Sequence, residues 1–254
     1  MKSFIHLILL ATALLFCTGV AAQELVLYYP FEDAGDIVTD ESGKGNDGIF
    51  DVGGAISANS KDQNFGKAMQ FDGQSRITVE DSDSLQIDTE ISFVMWVKKA
   101  NEAGGTGTLP RIISRAADVH ELAMDSGHIQ LGNFAIYFGN NPGWTSCMPV
   151  ELDWHHIAVT FDGGTFIVYL DGEVAFELNA GAPRTFSGTL YIGSRHDLGT
   201  SEYYEGLLDE LGVYADVLTQ DQVVDVMTNG VLGNLIAVSS QSKLATTWAD
   251  VKFN

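Results

Sequence analysis

The sequence has few cysteines, and this excludes one common way of stabilising an exported domain. Only Cys17 and Cys147 occur among the 254 residues. Cys17 lies in an N-terminal apolar stretch that is expected to be removed, which leaves Cys147 without a partner. A disulfide framework is therefore excluded. Stability must come from a buried apolar core, and Cys147 is predicted to be an apolar filler of that core.

Basic residues are also scarce, because 13 Lys and Arg stand against 34 Asp and Glu. The formal net charge is −21. Binding to nucleic acid or to anionic membranes depends on basic patches that release counterions, so neither is expected as a partner. Carboxylates at this density can instead attract a hard cation.

Long apolar runs are absent after residue 22, so no membrane span is predicted. Residues 1–22, MKSFIHLILLATALLFCTGVAA, contain one Lys, then an apolar run, then small residues. That order is typical of a secretory signal peptide, and cleavage is predicted before Gln23. The mature chain would have 232 residues, with 12 basic and 34 acidic side chains and a net charge of −22. We expect a secreted, periplasmic or cell-surface protein.

The mature sequence contains no internal repeat, no low-complexity block and no linker that would separate two domains. A single all-β domain of this length is common. We therefore predict a signal peptide at 1–22, one domain at 23–232, and a C-terminal tail or edge strand at 233–254.

Short runs with an apolar residue at every second position follow one another from about residue 24 to 213, separated by Gly, Asp, Asn and Ser. This pattern predicts an all-β, two-sheet antiparallel jelly-roll sandwich. A parallel α/β sheet is not favoured, because no helical pattern separates the runs. The one helical pattern lies at 218–230, where Thr219 and Gln222 can form a capping box and Gly230 can end the helix.

The segment 154–178, WHHIAVTFDGGTFIVYLDGEVAFEL, combines a His pair with two Asp-Gly turns. Such turns are typical of hairpins. The preceding ELDWHH resembles the E-x-D-x-E or E-x-D-x-x-E strand of laminarinase-type glycosidases, but His155 or His156 replaces the second Glu. Without that acid/base partner, an antiparallel meander is the favoured interpretation over a catalytic site.

Two acidic segments are candidates for metal binding. The loop 39–48 places Asp40 and Asn46 among three glycines, which suits either a cation site or an Asx turn. The strand 206–214 contains Asp209 and Glu210 within apolar residues. Alternation predicts that the two point to opposite faces, with at most one inward. A cation, or Arg195 and His196, would be the partner of the inward carboxylate.

Several motifs, in this order, resemble one family. They are YYPFED, DESGKGNDG, FGKAMQFDGQSRITV, WHHIAVTFDGGTFIVYLDGE, LYIGSR and YEGLLDELGVY. From about Leu25 to Met227 the chain resembles the LamG-like (laminin G type 3) concanavalin A-like lectin/glucanase jelly-roll domains of exported bacterial proteins. The resemblance implies a sandwich that binds sugar or protein through its curved face or its rim loops.

The resemblance also implies a structural calcium ion, held by the loop after the first strand and by a carboxylate late in the chain. Carried over by position, the ligands would be Asp40, Asn46 and Asp209, with Glu32 as a weaker addition. The chain has Asn-Asp-Gly where the family commonly has Asn-His-Gly.

Aromatic and polar residues between the strands are candidates for a ligand surface, because aromatic faces stack on sugar rings and polar side chains bind hydroxyls. These residues are Trp144, Tyr203, Asn140, Asn141, Arg195 and His196.

The favoured function is a noncatalytic exported module that binds a carbohydrate or an extracellular protein and is stabilised by calcium. A glycan-active hydrolase or lyase on the same fold is the first alternative, but the sequence does not reveal the paired carboxylates it would need. The second alternative is an envelope or structural assembly subunit that self-associates through Trp248 of the tail.

Overall fold

The protein is described by a computed structural model that covers residues 23–33, 35–52, 56–61, 64–87, 89–115, 120–139, 141–181, 185–197 and 202–233. The predicted signal peptide, Asn140 and the predicted tail from residue 234 onward lie outside the described residues. No helix within the described ranges has the length and apolar character needed to cross a membrane.

The described residues form sixteen strands, a short 3₁₀ turn at Asp83–Leu85 and one α-helix, α1 (Gln220–Asn229). The first eight strands are β1 (Leu25–Tyr29), β2 (Ile37–Val38), β3 (Gly48–Val52), β4 (Ile56–Asn59), β5 (Lys67–Asp72), β6 (Arg76–Val79), β7 (Ile91–Lys99) and β8 (Arg111–Arg115). The other eight are β9 (Glu121–Met124), β10 (Asn133–Tyr137), β11 (Thr145–Pro149), β12 (His155–Phe161), β13 (Thr165–Leu170), β14 (Glu173–Asn179), β15 (Leu190–Ile192) and β16 (Glu205–Tyr214).

These strands form two eight-stranded sheets. The first sheet has the order β14-β13-β12-β7-β16-β5-β4, and β1 also pairs with β16. The second has the order β11-β10-β9-β8-β15-β6-β3-β2. Every pair of named strands is antiparallel. The predicted jelly-roll sandwich is confirmed.

The core lies between the sheets, and alternation along each strand supplies it. In β12, Ile157 and Val159 face inward, and in β15, Leu190 and Ile192 do the same. The residue between the last two, Tyr191, therefore faces away from the core. Each sheet thus has an inner apolar face and an outer face whose character the remaining residues determine.

Helix α1 covers part of the outer face of the first sheet. Its Val223 and Val226 pack in one apolar cluster with Tyr28, Val94 and Tyr169. The predicted caps are present, because Thr219 and Gln222 form a capping box and the Gly230 N–H donates to the Val226 carbonyl. In the described part of the chain no helix packs against the second sheet.

The His pair is part of the predicted meander. His155 Nδ1 lies 2.8 Å from an Asp171 carboxylate oxygen, and the His156 backbone N–H donates to the other oxygen at 2.9 Å. The His156 ring is buried edge-on against Trp96. Burial lowers the pKa of His156 to about 3, so this imidazole is neutral at physiological pH. The pair anchors the start of β12 to the turn at Asp171, which joins β13 to β14.

One strand boundary differs from the sequence pattern. The sequence has an apolar run at 128–139, but β10 begins only at Asn133. The carboxylate of buried Asp125 accepts the backbone N–H groups of residues 127–130 at 2.6–2.9 Å. This local bonding holds residues 127–130 in a compact loop, because it satisfies the donors that a strand partner would otherwise take.

Candidate functional site

A row of polar and aromatic side chains crosses the outer face of the second sheet. Directly opposed residues on neighbouring strands are Thr78, Tyr191, Ser114, Glu121 and Tyr137. Opposed residues of an antiparallel sheet share one face. Since Tyr191 faces away from the core, the whole row does, and its last two members, Glu121 and Tyr137, line the candidate site.

A cavity of about 410 Å³ opens at one end of this row. It is lined by Thr108, Leu109, Arg111, Glu121, His128, Tyr137, Trp144, Arg195 and Glu202. These residues come from strands β8, β9 and β10 and from the loops that surround them. The volume lies in the usual range for small-molecule sites.

Aromatic rings form one wall of the cavity. Tyr137 and Trp144 are stacked, with ring centroids 5.4 Å apart and an interplanar angle of 30°. The Arg111 guanidinium lies 4.5 Å from the Trp144 ring centroid. Leu109 and the small Ala123 and Ala135 side chains pack with Trp144. The wall is therefore rigid and amphipathic, as in sites that bind sugar rings.

Ion pairs form another part of the lining, next to the aromatic wall. Arg111, only 3% exposed, donates from Nε to a Glu121 carboxylate oxygen at 2.5 Å, and Glu121 is 1% exposed. Arg111 Nη1 and Arg195 Nη1 each lie 3.3 Å from the same oxygen of Glu202. Ser114 donates to the second Glu121 oxygen at 3.2 Å. Charged donors and acceptors held in this way are fixed before a ligand arrives, and they suit the hydrogen-bonding pattern of hydroxyl groups.

The structure brings two carboxylates, Glu121 and Glu202, to one cavity, which sequence reasoning did not find. Both accept from the same guanidinium, that of Arg111. A glycosidase needs one carboxyl group that can donate a proton and a second that can attack or activate water. In this cavity both carboxylates are instead ion-paired with arginine.

The predicted ligand residues are only partly brought together. Trp144 and Arg195 line the cavity, and Tyr203 forms bridges to Ser194 and Arg111 beside it. His196 follows Arg195 and is half-buried, but it does not line the cavity. Asn141 is exposed and also lies outside the lining. The sequence analysis did not predict three lining residues, Arg111, Glu121 and Glu202. The sequence feature that could have indicated them is a charged residue at the end of an apolar strand or next to it.

Asp40 does not have the environment of a metal ligand. One carboxylate oxygen accepts the N–H groups of Tyr28 and Ser42 at 2.9 and 3.0 Å. The other accepts the Ser42 hydroxyl at 2.8 Å and the Asn46 N–H at 2.9 Å. Both oxygens thus accept hydrogen bonds from donors that hold the loop in its fold. This arrangement agrees with an Asx turn, the alternative to a cation site.

Asn46 is occupied in the same way. Its amide nitrogen donates to the Val26 carbonyl at 2.7 Å and to Ser84 at 2.9 Å, while its amide oxygen accepts from Ser82 at 2.6 Å. The Tyr29 hydroxyl donates to the Asn46 carbonyl at 2.6 Å. Neither Asp40 nor Asn46 therefore offers a free side-chain oxygen to calcium.

Asp209 and Glu210 do not alternate as predicted. The pairing of β16 with β7 shifts register between Asp209 and Gly212, and Glu210 has a positive φ of 50°. Both Leu208 and Leu211 pack in the core. The bulge places both carboxylates between these two inward residues, and they are 0% and 8% exposed. The expectation that one would be solvated was wrong, because a bulge breaks the period of two.

The partners of these carboxylates are mostly neutral. Asp209 accepts the Ser60 hydroxyl and the Glu210 N–H, and burial raises its pKa to about 8. Glu210 accepts the Tyr28 hydroxyl at 2.5 Å and the Val231 N–H at 2.9 Å. The alternative that Arg195 pairs with this strand was wrong, because Arg195 pairs with Glu202 and Asp197.

The four predicted calcium ligands thus divide into two groups. Asp40 and Asn46 do not fit a metal. Glu32 and Asp209 fit in donor chemistry, since the nearby Glu32 charge adds to the raised pKa of Asp209 and carboxylates are the ligands calcium prefers. Within the described residues no group of three or more His, Cys, Asp and Glu side chains could hold a metal ion.

The structure is an antiparallel two-sheet sandwich with a cavity on the outer face of its second sheet. The family model of the Concanavalin A-like lectin/glucanases superfamily, Laminin_G_3, matches residues 71–224. The chain therefore belongs to this family, in agreement with the resemblance seen in the sequence. No curated protein sequence matches it.

Solved structures with the same fold include carbohydrate- and receptor-binding domains. Domain 4 of AbnA, a GH43 extracellular arabinanase from Geobacillus stearothermophilus, in complex with arabinotriose, has a TM-score of 0.63 and 23% identity, covering 81% of this chain and 98% of that one. The binding domain of Paraclostridial Mosquitocidal Protein 1 has a TM-score of 0.63 and 14% identity, with coverage of 80% and 52%. The receptor-binding domain of a botulinum neurotoxin C/D mosaic serotype has a TM-score of 0.62 and 14% identity, covering 81% of this chain and 51% of that one. The chain spans about half the length of the two toxin domains.

Proposed function

We propose that the protein is an exported, noncatalytic module that binds carbohydrate in the cavity between Trp144 and Arg195. The observation that carries this proposal is the pairing of a stacked Tyr137–Trp144 wall with fixed arginine–carboxylate pairs in one open cavity. Sugars present apolar ring faces and polar hydroxyl edges, and these two parts of the lining complement them.

The comparisons support the coarse class of this proposal. One similar structure was solved with arabinotriose, and others are receptor-binding domains. An extracellular or cell-surface protein is therefore the alternative ligand. The carbohydrate is favoured because the cavity is concave and of small-molecule size, whereas a protein partner would need an interface of about 800 Å² on each side.

A structural calcium ion at Glu32 and Asp209 is part of the proposal. Its support is the fully buried Asp209 carboxyl group, whose raised pKa the charge of the exposed Glu32 nearby increases further. If calcium binds there, a chelator lowers the melting temperature of the wild-type protein and leaves that of Asp209→Asn unchanged. Identical melting curves with chelator and with calcium for the wild type would rule the ion out.

The binding proposal is tested with a panel of neutral polysaccharides that includes arabinan, using affinity electrophoresis and calorimetry. Trp144→Ala and Arg195→Gln should each weaken binding by about tenfold or more, since each removes a wall of the cavity. Lys98→Gln is the matched control, because it removes a charge on the first sheet, remote from the cavity. Equal binding by all four proteins, or no binding to any polysaccharide, would refute the proposed site.

A hydrolase or lyase on the same fold remains the second candidate because Glu121 and Glu202 lie in the same cavity. Release of reducing ends, or of unsaturated products, from the polysaccharide that binds would establish it. Loss of that release in Glu121→Gln or Glu202→Gln, with binding retained, would assign the catalytic groups. Complete absence of products is the result expected for the binding module.

Export rests on residues 1–22, and the assembly alternative rests on the tail. N-terminal sequencing of the extracellular or periplasmic protein should begin at Gln23. Self-association is tested by light scattering of the full mature chain and of Trp248→Ala. A monomer in both cases favours the binding module over the assembly subunit.

A further inference from the structure

We propose that the ligand site continues beyond the cavity to a second subsite at Tyr191, so that the protein binds a neutral oligosaccharide chain running across the strands. This inference rests on the proposed function and adds to it the length, direction and charge of the ligand. The observations are the register of the second sheet and the repeated chemistry along its outer face.

The first step is that Tyr191 shares a face with the cavity. Tyr191 is opposed to Thr78 on one side and Ser114 on the other. Ser114 donates to Glu121, and Glu121 is opposed to Tyr137. No change of face occurs along this row, so the partly exposed Tyr191 ring and the Tyr137 ring lie on the same face of the sheet, with the buried Ser114 and Glu121 between them.

The second step is the distance. Tyr191 is on β15 and Tyr137 on β10, with β8 and β9 between them. Three strand steps of about 4.8 Å place the two positions roughly 14 Å apart across the sheet. A single sugar ring cannot contact both positions, whereas a chain of several units that crosses the strands can.

The third step is the repetition of one chemical arrangement. Arg76 is buried, pairs with Asp51, and has its guanidinium 4.8 Å from the Tyr191 ring centroid. At the cavity, Arg111 pairs with Glu121 and lies against Trp144. Each end of the row thus has an aromatic ring whose position is fixed by an arginine, and that arginine is held by a carboxylate.

Tyr203 connects the two ends. Asp51 is the main cause of the raised pKa of Arg76, and Tyr191 and Tyr203 both lie near enough to add to it. Tyr203 also forms a backbone bridge to Arg111 of the cavity. Tyr203 therefore lies close both to the cavity and to the second subsite.

The charge of this face selects the ligand class. Among the described residues of this face, Arg76, Arg111 and Arg195 are each paired with a carboxylate, which lowers their attraction for an anionic sugar. The whole chain has a net charge of −21 and repels polyanions. A neutral glycan is favoured on both grounds.

The experiment compares trimers and hexamers of neutral arabino-, xylo- and β-gluco-oligosaccharides by calorimetry, with oligogalacturonate as the anionic probe. For the series that binds, the wild type should bind the hexamer about tenfold more tightly than the trimer. Tyr191→Ala should lose that gain and leave trimer binding unchanged. Tyr191→Phe is the matched control and should keep the gain, because it retains the ring.

The outcomes separate this inference from the proposed function. Equal affinity for trimer and hexamer in the wild type would overturn the second subsite while leaving the cavity site intact. The same holds if Tyr191→Ala keeps the gain, or if Tyr191→Phe loses it as completely as Tyr191→Ala. Tighter binding of oligogalacturonate than of every neutral series would overturn the neutral ligand class. Absence of binding by any oligosaccharide would remove the proposed function and the inference together.

Discussion

Replacement of Asp209 by Asn should stabilise the cation-free protein at alkaline pH. The Asp209 carboxyl group is fully buried, and its hydrogen bonds come from Ser60 and from the Glu210 backbone. An amide has the same shape, can accept from the Glu210 N–H and can donate to the Ser60 oxygen. The substitution therefore removes the buried charge while keeping both contacts.

The magnitude follows from the pKa of Asp209, which burial raises from 3.8 to about 8. Below about pH 3.8 the group is protonated in both the folded and the unfolded chain and contributes nothing. Between about pH 3.8 and pH 8 only the folded chain holds the proton on Asp209, so the free energy of unfolding falls as pH rises. Above about pH 8 the cost is complete, at most about 6 kcal/mol from 1.36 kcal/mol per pKa unit. Asn avoids this cost, and since 1 kcal/mol corresponds to about 2–4 °C for a domain of this size, its advantage at pH 9 is on the order of 10 °C.

The assay is thermal unfolding of the wild type and Asp209→Asn at pH 5, 7 and 9, with chelator and with calcium. With chelator, the difference in melting temperature should grow in favour of Asn from pH 5 to pH 9. With calcium, the wild type should recover if the ion neutralises Asp209. Asp153→Asn, on an exposed loop, is the control and should show no such trend. A wild type as stable as Asp209→Asn at pH 9 in chelator would refute the buried-charge argument.

Three further results are expected. Arg111→Met should lower the free energy of unfolding in urea by about 3–5 kcal/mol, because it leaves Glu121 buried without its guanidinium partner. Adding Glu121→Leu should restore most of that loss, and additive effects of the two substitutions would contradict the pairing. Thr219→Ala should lower the free energy of unfolding by about 1 kcal/mol through loss of the helix cap, measured in the same way, and no change would show that the cap is unimportant. Gly105→Ala should prevent soluble expression, because a Cβ there would lie 2.0 Å from a backbone oxygen, whereas Gly43→Ala, with open space around it, should fold at a cost of about 1 kcal/mol.

The fold could be predicted because its signals are local. Ile157 and Val159 alternate with residues of the other face, and the Asp-Gly turns that follow fix the hairpins. The capping box at Thr219 likewise depends on four consecutive residues. In such segments neighbouring residues decide the backbone, so the sequence pattern is sufficient.

The candidate site could be predicted only in part, since it is assembled across strands that are distant in sequence. Trp144 and Arg195 were identified by their type and by their loops, but Glu121 and Glu202 gained a role only when the sheet placed both against Arg111. Pairing between β8 and β9 and the return of the chain before β16 bring these groups together. No local pattern encodes that arrangement.

The sequence by itself determined the strands, the turns, the capped helix and the acidic character of the protein, because these depend on residues a few positions apart. Only the tertiary structure decided which carboxylates are buried and what they bind. The bulge at Glu210 places the carboxylates of Asp209 and Glu210 on the same side of the strand, where both are buried. Hydrogen bonds to the loop backbone occupy the side chain of Asp40 and fix the position of Asn46. Register between strands, a long-range property, also decided which polar and aromatic residues share the outer face of the second sheet.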